Sequence, residues 1–525
     1  MSGHGLGAVL RLQLRTGWVG LAAWTGGLVA TYVATVAAID ATYGTPEQLA
    51  TYGATVGADP TMAAINGTPY GADTLGGVVA NEFGFVAALA VPLMGLTLVA
   101  RSTRRAEEVG LLELVRSRAV SARAPWTAAL LLGAGALVLV GAGAAVTLVS
   151  YGVDVGDAVL YGASLTGLGL VFAGVATLAG QLQRRASAVV GTGVVVLGAA
   201  YVLRALGDVR DNGWRWLSPL AWQQETRPFA DDARVWPLLL ALGVAAGLVA
   251  AGLVLVGRRD LGSAVVASRP GPVHAGALLR STTGLAVQQH GPVLLAWAAG
   301  AALVGAVFGA FTGDVDDVVT ANPDLQTLLA GATGGSDPAS WYVSYCLVLT
   351  LLMATGAGAQ VIGRARAEET RGRLEPVLAR AVPRARWIAT HAGVAVAGTV
   401  LVALAGGAGL ALTAAADGDA AGTLAATATS LPAVLVVPSL GVALFGALPR
   451  FTAAVWGAFA YVALVELLGA TLRLPGWALD LSPLHAVGRL PVEDASGVAV
   501  TLSGLLAVAL VVLGIVGFRH RDIPR

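Results

Sequence analysis

The stretch "WTAALLLGAGALVLVGAGAAVTLVS" (residues 126–150) carries no charged side chain. A run of about 20 apolar residues crosses a bilayer as a helix, because a lone segment in hydrocarbon must satisfy its own backbone. "VWPLLLALGVAAGLVAAGLVLVG" (235–257) reads the same way. Composition extends the reading to the whole chain. Of 525 residues, 56% are hydrophobic and 12% charged, against about 25% charged in a soluble domain. The expected fold class is an all-α integral membrane protein.

Twelve spans are predicted, at 17–39, 80–100, 126–150, 158–180, 186–206, 235–257, 291–312, 341–363, 387–412, 423–447, 453–472 and 498–518. The first run is too long for a signal-peptide core and lacks a small-residue cleavage site, so it reads as a retained span. Twelve spans place both termini on one side. If that side is the cytoplasm, 25 of the 32 arginines fall in cytoplasmic segments, as the positive-inside rule expects. Acidic residues such as Asp314, Asp316 and Asp317 then lie outside. The chain has one cysteine, Cys346, inside a predicted span. This excludes an internal disulfide and a cysteine-cluster metal site.

The chain also repeats itself. "RRAEEVGLLELVRSRAVSARAPW" (104–126) returns as "RARAEETRGRLEPVLARAVPRARW" (364–387). "GVATLAGQLQRRASAVVG" (174–191) is matched by "GVALFGALPRFTAAVWG" (441–457), and "LSPL" stands at both 217–220 and 481–484. "GRRDLG" (257–262) closes the first half much as "FRHRDIP" (518–524) closes the second. "DPTMAAING" (59–67) echoes "NPDLQTLLAG" (322–331). The expected organisation is two six-span halves, 1–264 and 265–525, in the same orientation. Parallel repeats of this kind meet around an axis along the membrane normal, with a path or binding site at the interface.

In each half the repeated charged loop, 101–125 or 364–386, joins the second span to the third. Its middle reads as a short amphipathic helix, with Leu112, Val115 and Val120 against Glu113, Arg116 and Arg118. The second copy sets Leu374, Val377, Leu378 and Val382 against Glu375 and Arg380. A doubled acid precedes each, Glu107 with Glu108 and Glu368 with Glu369, and Pro125 and Pro383 mark the exits. The plain alternative is a positive-inside loop resting on anionic lipid. Two copies at matching positions, both with acids, favour docking onto a symmetric soluble dimer.

With these features the chain resembles the membrane subunit of type-two ABC exporters. The nearest branch is the fused two-in-one permeases of the actinobacterial polyketide-antibiotic and multidrug exporter family. The resemblance covers essentially the whole chain and rests chiefly on the two charged loops. It implies a separate ATP-binding subunit, working as a dimer, whose cycle is transmitted through Glu107, Glu108, Glu113, Arg116, Arg118, Glu368, Glu369, Glu375 and Arg380. It implies export of small hydrophobic or amphipathic compounds from a bacterial cell, with ATP and Mg on the partner and no cofactor on this chain. It also implies an amphipathic elbow helix before each half, at 5–17 and 274–291. The first loop lacks the proline that follows Glu375, so the two docking loops need not be equal. All 32 basic residues are arginine. A Walker phosphate loop requires a lysine, so nucleotide chemistry must belong to another polypeptide.

Glu466 is the one acid well inside a predicted span, which makes it a candidate for lining or gating a path. Alternatively it forms a structural pair, with Arg204 as a possible partner. Glu82, Asn81 and Gln360 sit at span ends as further path-lining candidates, or are merely interfacial. Pro92 is expected to kink its helix. Gly305 and Gly309 form a G-x-x-x-G, a weak signal in a chain with 70 glycines. The six histidines are scattered in sequence, no catalytic or metal motif emerges, and no basic patch suits nucleic acid. A proton-coupled carrier would need several buried acids, and a membrane enzyme clustered titratable groups. A membrane scaffold that assembles other proteins remains open beside them.

Overall fold

The computed structural model describes residues 5–56, 66–118, 120–266, 273–274, 276–310, 312, 338–380, 382–414, 419–468 and 474–522. These residues are helices and their connections, with no strand among them. Asp314, Asp316, Asp317, residues 59–65 of the first outer-loop motif and its counterpart at 322–331 lie outside the described residues.

Each apolar run has become a helix. In the first half these are α1 (Leu6–Tyr43), α2 (Gly84–Ala100), α3 (Ala124–Ser150), α4 (Val155–Leu182), α5 (Ala186–Val209) and α6 (Trp236–Val256). The second half holds α7 (Thr282–Gly309), α8 (Pro338–Thr370), α9 (Arg384–Ala414), α10 (Ala420–Ala447), α11 (Ala454–Leu468) and α12 (Gly497–His520). Eleven of the described helices are long and apolar enough to cross a membrane. The shorter one is α11, whose predicted span continued through 469–472, outside the described residues.

Boundaries follow local chemistry. Asp154 caps α4 by accepting from the Gly156 amide at 2.7 Å, and Ser281 caps α7 through the Gly284 amide at 2.9 Å. Pro237 sits in the first turn of α6, where its missing N–H costs nothing.

The expected elbow at 5–17 is not a separate helix. Residues 6–17 are the first turns of the 38-residue α1, because nothing in "LRLQLRTGW" interrupts helical hydrogen bonding. The 274–291 segment likewise holds only a 3₁₀ turn, Ala277–Arg280, before α7 begins at Thr282.

The chain divides into two compact units, Met1–Pro270 and Gly271–Arg525. Their internal wiring matches. In the first, α1 packs on α3, α3 on α4, and α4 on α6; in the second, α7 packs on α9, α9 on α10, and α10 on α12. Lipid tails are as apolar as leucine, so helices in a bilayer associate through close packing of small residues. A Cβ on Gly305 would collide with the Gly406 carbonyl of α9, and one on Gly309 would lie 2.5 Å from the Leu410 carbonyl. The G-x-x-x-G is therefore a packing seam. Gly446 of α10 and Gly514 of α12 meet backbone to backbone in the same way. Outward faces stay apolar: Val498, Leu502, Leu505, Val508 and Val512 line the exposed side of α12, the surface that hydrocarbon solvates.

Candidate functional site

The two charged loops are the same object built twice. Each opens where a helix stops at a left-handed glycine, Gly110 (φ 76°) or Gly372 (φ 68°). These positions are 262 residues apart, and the region of φ/ψ they occupy strongly favours glycine. Both amides donate to an acid three residues back, Gly110 to the Glu107 carbonyl at 3.1 Å and Gly372 to the Glu369 carbonyl at 2.9 Å. A short helix comes next, Leu111–Arg116 or Glu375–Leu378. It is pinned by one buried leucine, Leu112 or Leu374. Each loop then closes with a 2.7 Å bond, from the Val120 amide to the Arg118 carbonyl and from the Val382 amide to the Arg380 carbonyl.

What holds each loop is a buried acid clasped by two arginines. Glu107 receives Arg259 through both oxygens, at 2.6 and 2.8 Å, together with Arg104 at 2.8 Å and the Gly262 amide at 2.7 Å. Glu369 receives Arg366 and Arg521, each at 2.8 Å. Every member is repeated at a spacing of 262: Arg104 and Arg366, Glu107 and Glu369, Arg259 and Arg521. In each case one arginine comes from the helix that leads into the loop. The other comes from the segment just past the last helix of the half. Arg259 grips Glu107 as a bidentate fork, which fixes both distance and angle, whereas Arg521 and Arg366 each meet one and the same oxygen of Glu369 through a single nitrogen. The two clasps tie the loops to α6 and α12.

The surroundings differ. A π-helical turn, Arg101–Arg105, precedes the first clasp, and its extra residue rotates the downstream chain relative to α2. Arg104 is thereby fully buried and also donates to the Ser263 carbonyl at 2.6 Å. Arg259 donates to the Gln181 side chain at 2.6 Å. Gln13 of α1 donates to the Ser102 and Pro125 carbonyls, at 3.2 and 3.0 Å, and so bridges the two ends of the first loop. In the second half Arg521 lies over the rings of Phe518 and Phe445, with centroids at 4.8 and 5.3 Å.

The residues predicted to couple to a partner therefore separate into groups. Glu107 and Glu369 are buried and hold the loops from within. Glu108 accepts from the Ala186 amide at 2.7 Å, at the N-terminus of α5, where a carboxylate suits the helix dipole. Glu368 pairs with exposed Arg373 at 3.1 Å. Glu113, Arg118, Glu375 and Arg380 are exposed, and Arg116 is partly so. Matching the doubled acids residue for residue puts Glu107 beside Glu368. The geometry instead makes Glu107 equivalent to Glu369.

The path-lining candidates each have a partner nearby. Glu466 is buried and accepts from the Ser482 hydroxyl at 2.8 Å. Arg204 is buried beside Asp208 at 3.9 Å and over the Tyr201 ring. Ser482 belongs to the second "LSPL"; in the first, Ser218 donates to the Ala200 carbonyl of α5 at 2.7 Å. Glu82 accepts from the Tyr52 phenol and Gln360 from the Trp297 indole at 2.8 Å. Asn81 donates to the Tyr52 oxygen at 2.7 Å.

Two features were not read from the sequence. His290 of α7 and His391 of α9, 101 residues apart, are both buried, with Nε2 and Nδ1 3.1 Å apart. They are the exception to the scatter of the histidines. Among the described residues no three potential ligands gather as a metal site would require. In the first half Glu225 is buried and receives Tyr70 at 2.7 Å, Arg227 at 2.8 Å, and Arg215 and Arg234 at 3.5 Å. This knot ties segment 66–74 to segment 213–235. Burial, and then the bond to Glu225, push the Tyr70 phenol up to about 12.

Comparison with known proteins respects the same division. Residues 279–519, wholly within the second unit, match the family model described as the C-terminal domain of multidrug efflux system permease Rv1217c. Over 527 aligned residues the chain is 35% identical to the multidrug efflux system permease protein Rv1217c of Mycobacterium tuberculosis (strain ATCC 25618 / H37Rv). The alignment covers 98% of this chain and 94% of that protein.

Proposed function

The chain belongs to the multidrug efflux permease family of Rv1217c, and from that premise we propose that it is the membrane-embedded subunit of an ATP-driven exporter. Its cargo is small apolar or amphipathic compounds, drugs and antibiotics among them. A pair of identical soluble ATP-binding subunits powers it from the cytoplasm. The observation that carries this reading is the pair of clasped loops. A twice-built surface loop, locked to its helices by a desolvated carboxylate, transmits force where an ordinary lipid-facing loop would give way. The arginine distribution supports a reading in which these loops and both termini face the cytoplasm from the plasma membrane. With no lysine, this chain cannot build a Walker loop, so ATP and Mg bind to the partner, and the chain itself performs no hydrolysis. Glu113, Arg118, Glu375 and Arg380 touch the partner directly, while Glu107 and Glu369 position the loops.

The test is reconstitution. The chain, together with the ATP-binding subunit that copurifies with it, is placed in inside-out vesicles and offered a fluorescent apolar dye. The expected result is dye accumulation that requires ATP and survives a proton uncoupler, with ATPase turnover that rises with dye. Accumulation that collapses with the uncoupler and ignores ATP would replace this reading with a proton-coupled carrier.

A further inference from the structure

At a spacing of 262 the two loops can be compared residue by residue. The turn glycines are kept, Gly110 and Gly372, as are the positions packed toward the body, Leu112 with Leu374 and Val115 with Val377. Two exposed charged positions are also kept, Glu113 with Glu375 and Arg118 with Arg380. The outermost three are not. The first loop presents Val109, Leu111 and Leu114, exposed by 53%, 54% and 71%. The second presents Arg371, Arg373 and Pro376, all exposed. One backbone therefore carries an apolar tip in one half and a cationic tip in the other.

Lipid does not account for this pair. The first tip interleaves Glu113 with Leu111 and Leu114, and an exposed carboxylate is repelled by an anionic leaflet. The second tip is too polar to enter hydrocarbon, and its arginines lie between Glu368 and Glu375 instead of forming the cluster of basic residues that anionic lipid selects. Large exposed apolar side chains grouped on a fixed loop mark an interaction site. On the matching loop exposed Arg371, with Arg373 beside it and 3.1 Å from Glu368, adds cationic charge that suits acidic ground.

We propose that the two loops engage the ATP-binding subunits by different chemistry. Each subunit offers a groove with an apolar floor and an acidic rim; the first loop uses the floor and the second uses the rim. This rests on the reading of the chain as an exporter subunit, and it adds that the two docking contacts respond differently to salt. Surface charge pairs are screened as ionic strength rises, whereas apolar burial is not weakened that way.

Binding of the copurifying ATP-binding subunit to the full chain in nanodiscs, measured from 50 to 500 mM NaCl, separates the two. The variant L111S/L114S is expected to lose roughly tenfold or more in affinity at every salt concentration. The variant R371Q/R373Q is expected to lose about three- to tenfold at 50 mM and little at 500 mM, which flattens the salt slope. The altered side chains are exposed, so folding is spared. Unchanged melting of both variants, against lowered melting of L112A at the buried anchor, verifies this. A slope left unchanged by R371Q/R373Q overturns the proposal. So does full affinity in L111S/L114S, the outcome if the first tip rests on lipid. A wild-type chain that binds no ATP-binding subunit at any salt would sink the exporter reading itself.

Discussion

Replacing Glu107 with alanine is expected to be the most damaging single change in either loop. It leaves Arg104 and Arg259 side by side, 1% and 5% exposed, with no carboxylate between them. Removing one partner of a buried pair costs about 3–5 kcal/mol, because the survivor stays desolvated and uncompensated. Glu369→Ala removes an equally buried acid, but Arg366 and Arg521 are 27% and 12% exposed and can turn toward water. Its cost falls between the buried and exposed limits, at about 2 kcal/mol. Unfolding in mixed micelles by SDS titration measures both. Amide hydrogen exchange over 105–118 and 367–380 shows whether loss begins at the loop. Arg259→Met added to Glu107→Leu should recover only part of the loss, since Arg104 remains unpaired. Adding Arg104→Met should recover most of it, because an apolar replacement of a whole buried triad is close to neutral. A Glu107→Ala cost within about 0.5 kcal/mol of wild type, the range of an ordinary surface change, would refute the clasp as the anchor of the loop. So would a larger cost for Glu369→Ala.

Other changes probe the frame around the loops. Gly514→Val inserts a side chain where α12 meets the Val442 carbonyl and the backbone of Gly446; a loss of at least about 1–3 kcal/mol is expected, read as a lowered unfolding midpoint with α12 exchanging first. His290→Ala leaves His391 without its 3.1 Å partner and should cost more than the double variant His290→Leu with His391→Leu, since an orphaned buried polar group costs more than two removed together; equal costs in the same titration would mean the two rings do not bond. Tyr70, with its phenol raised from 10.0 to about 12, stabilises the fold fully below pH 10. That contribution is lost as pH rises from 10 toward 12. Alkaline unfolding monitored by circular dichroism should therefore be less steep in Tyr70→Phe.

The spans were legible because charge-free runs longer than 20 residues admit one solution in a bilayer. The loops were legible because scarce charge recurred in order. The clasp was hidden. Matching "AEE" with "AEE" sets the register at 261, whereas Gly110 and Gly372 set it at 262. A single left-handed glycine in each charged loop was the available signal. The arginines of "GRRDLG" and "FRHRDIP" were visible as matching ends, but nothing linear links Arg259 to an acid 152 positions earlier. The meeting of His290 with His391 is likewise a product of α7 lying on α9. At the first expected elbow, residues 6–17 run on into α1 as one helix, while at the second a 3₁₀ turn precedes α7, which carries Pro292 just past that segment.

The position of Arg259 and Arg521 also orders the birth of the protein. Each of these arginines is supplied by the last stretch of its half to leave the ribosome. Glu107 thus waits through the insertion of four further helices before its strongest partner exists. A half that stalls or inserts one helix the wrong way round leaves that carboxylate without its fork. The loop then stays loose. Each lobe thereby carries its own completion seal, closed only by correct threading.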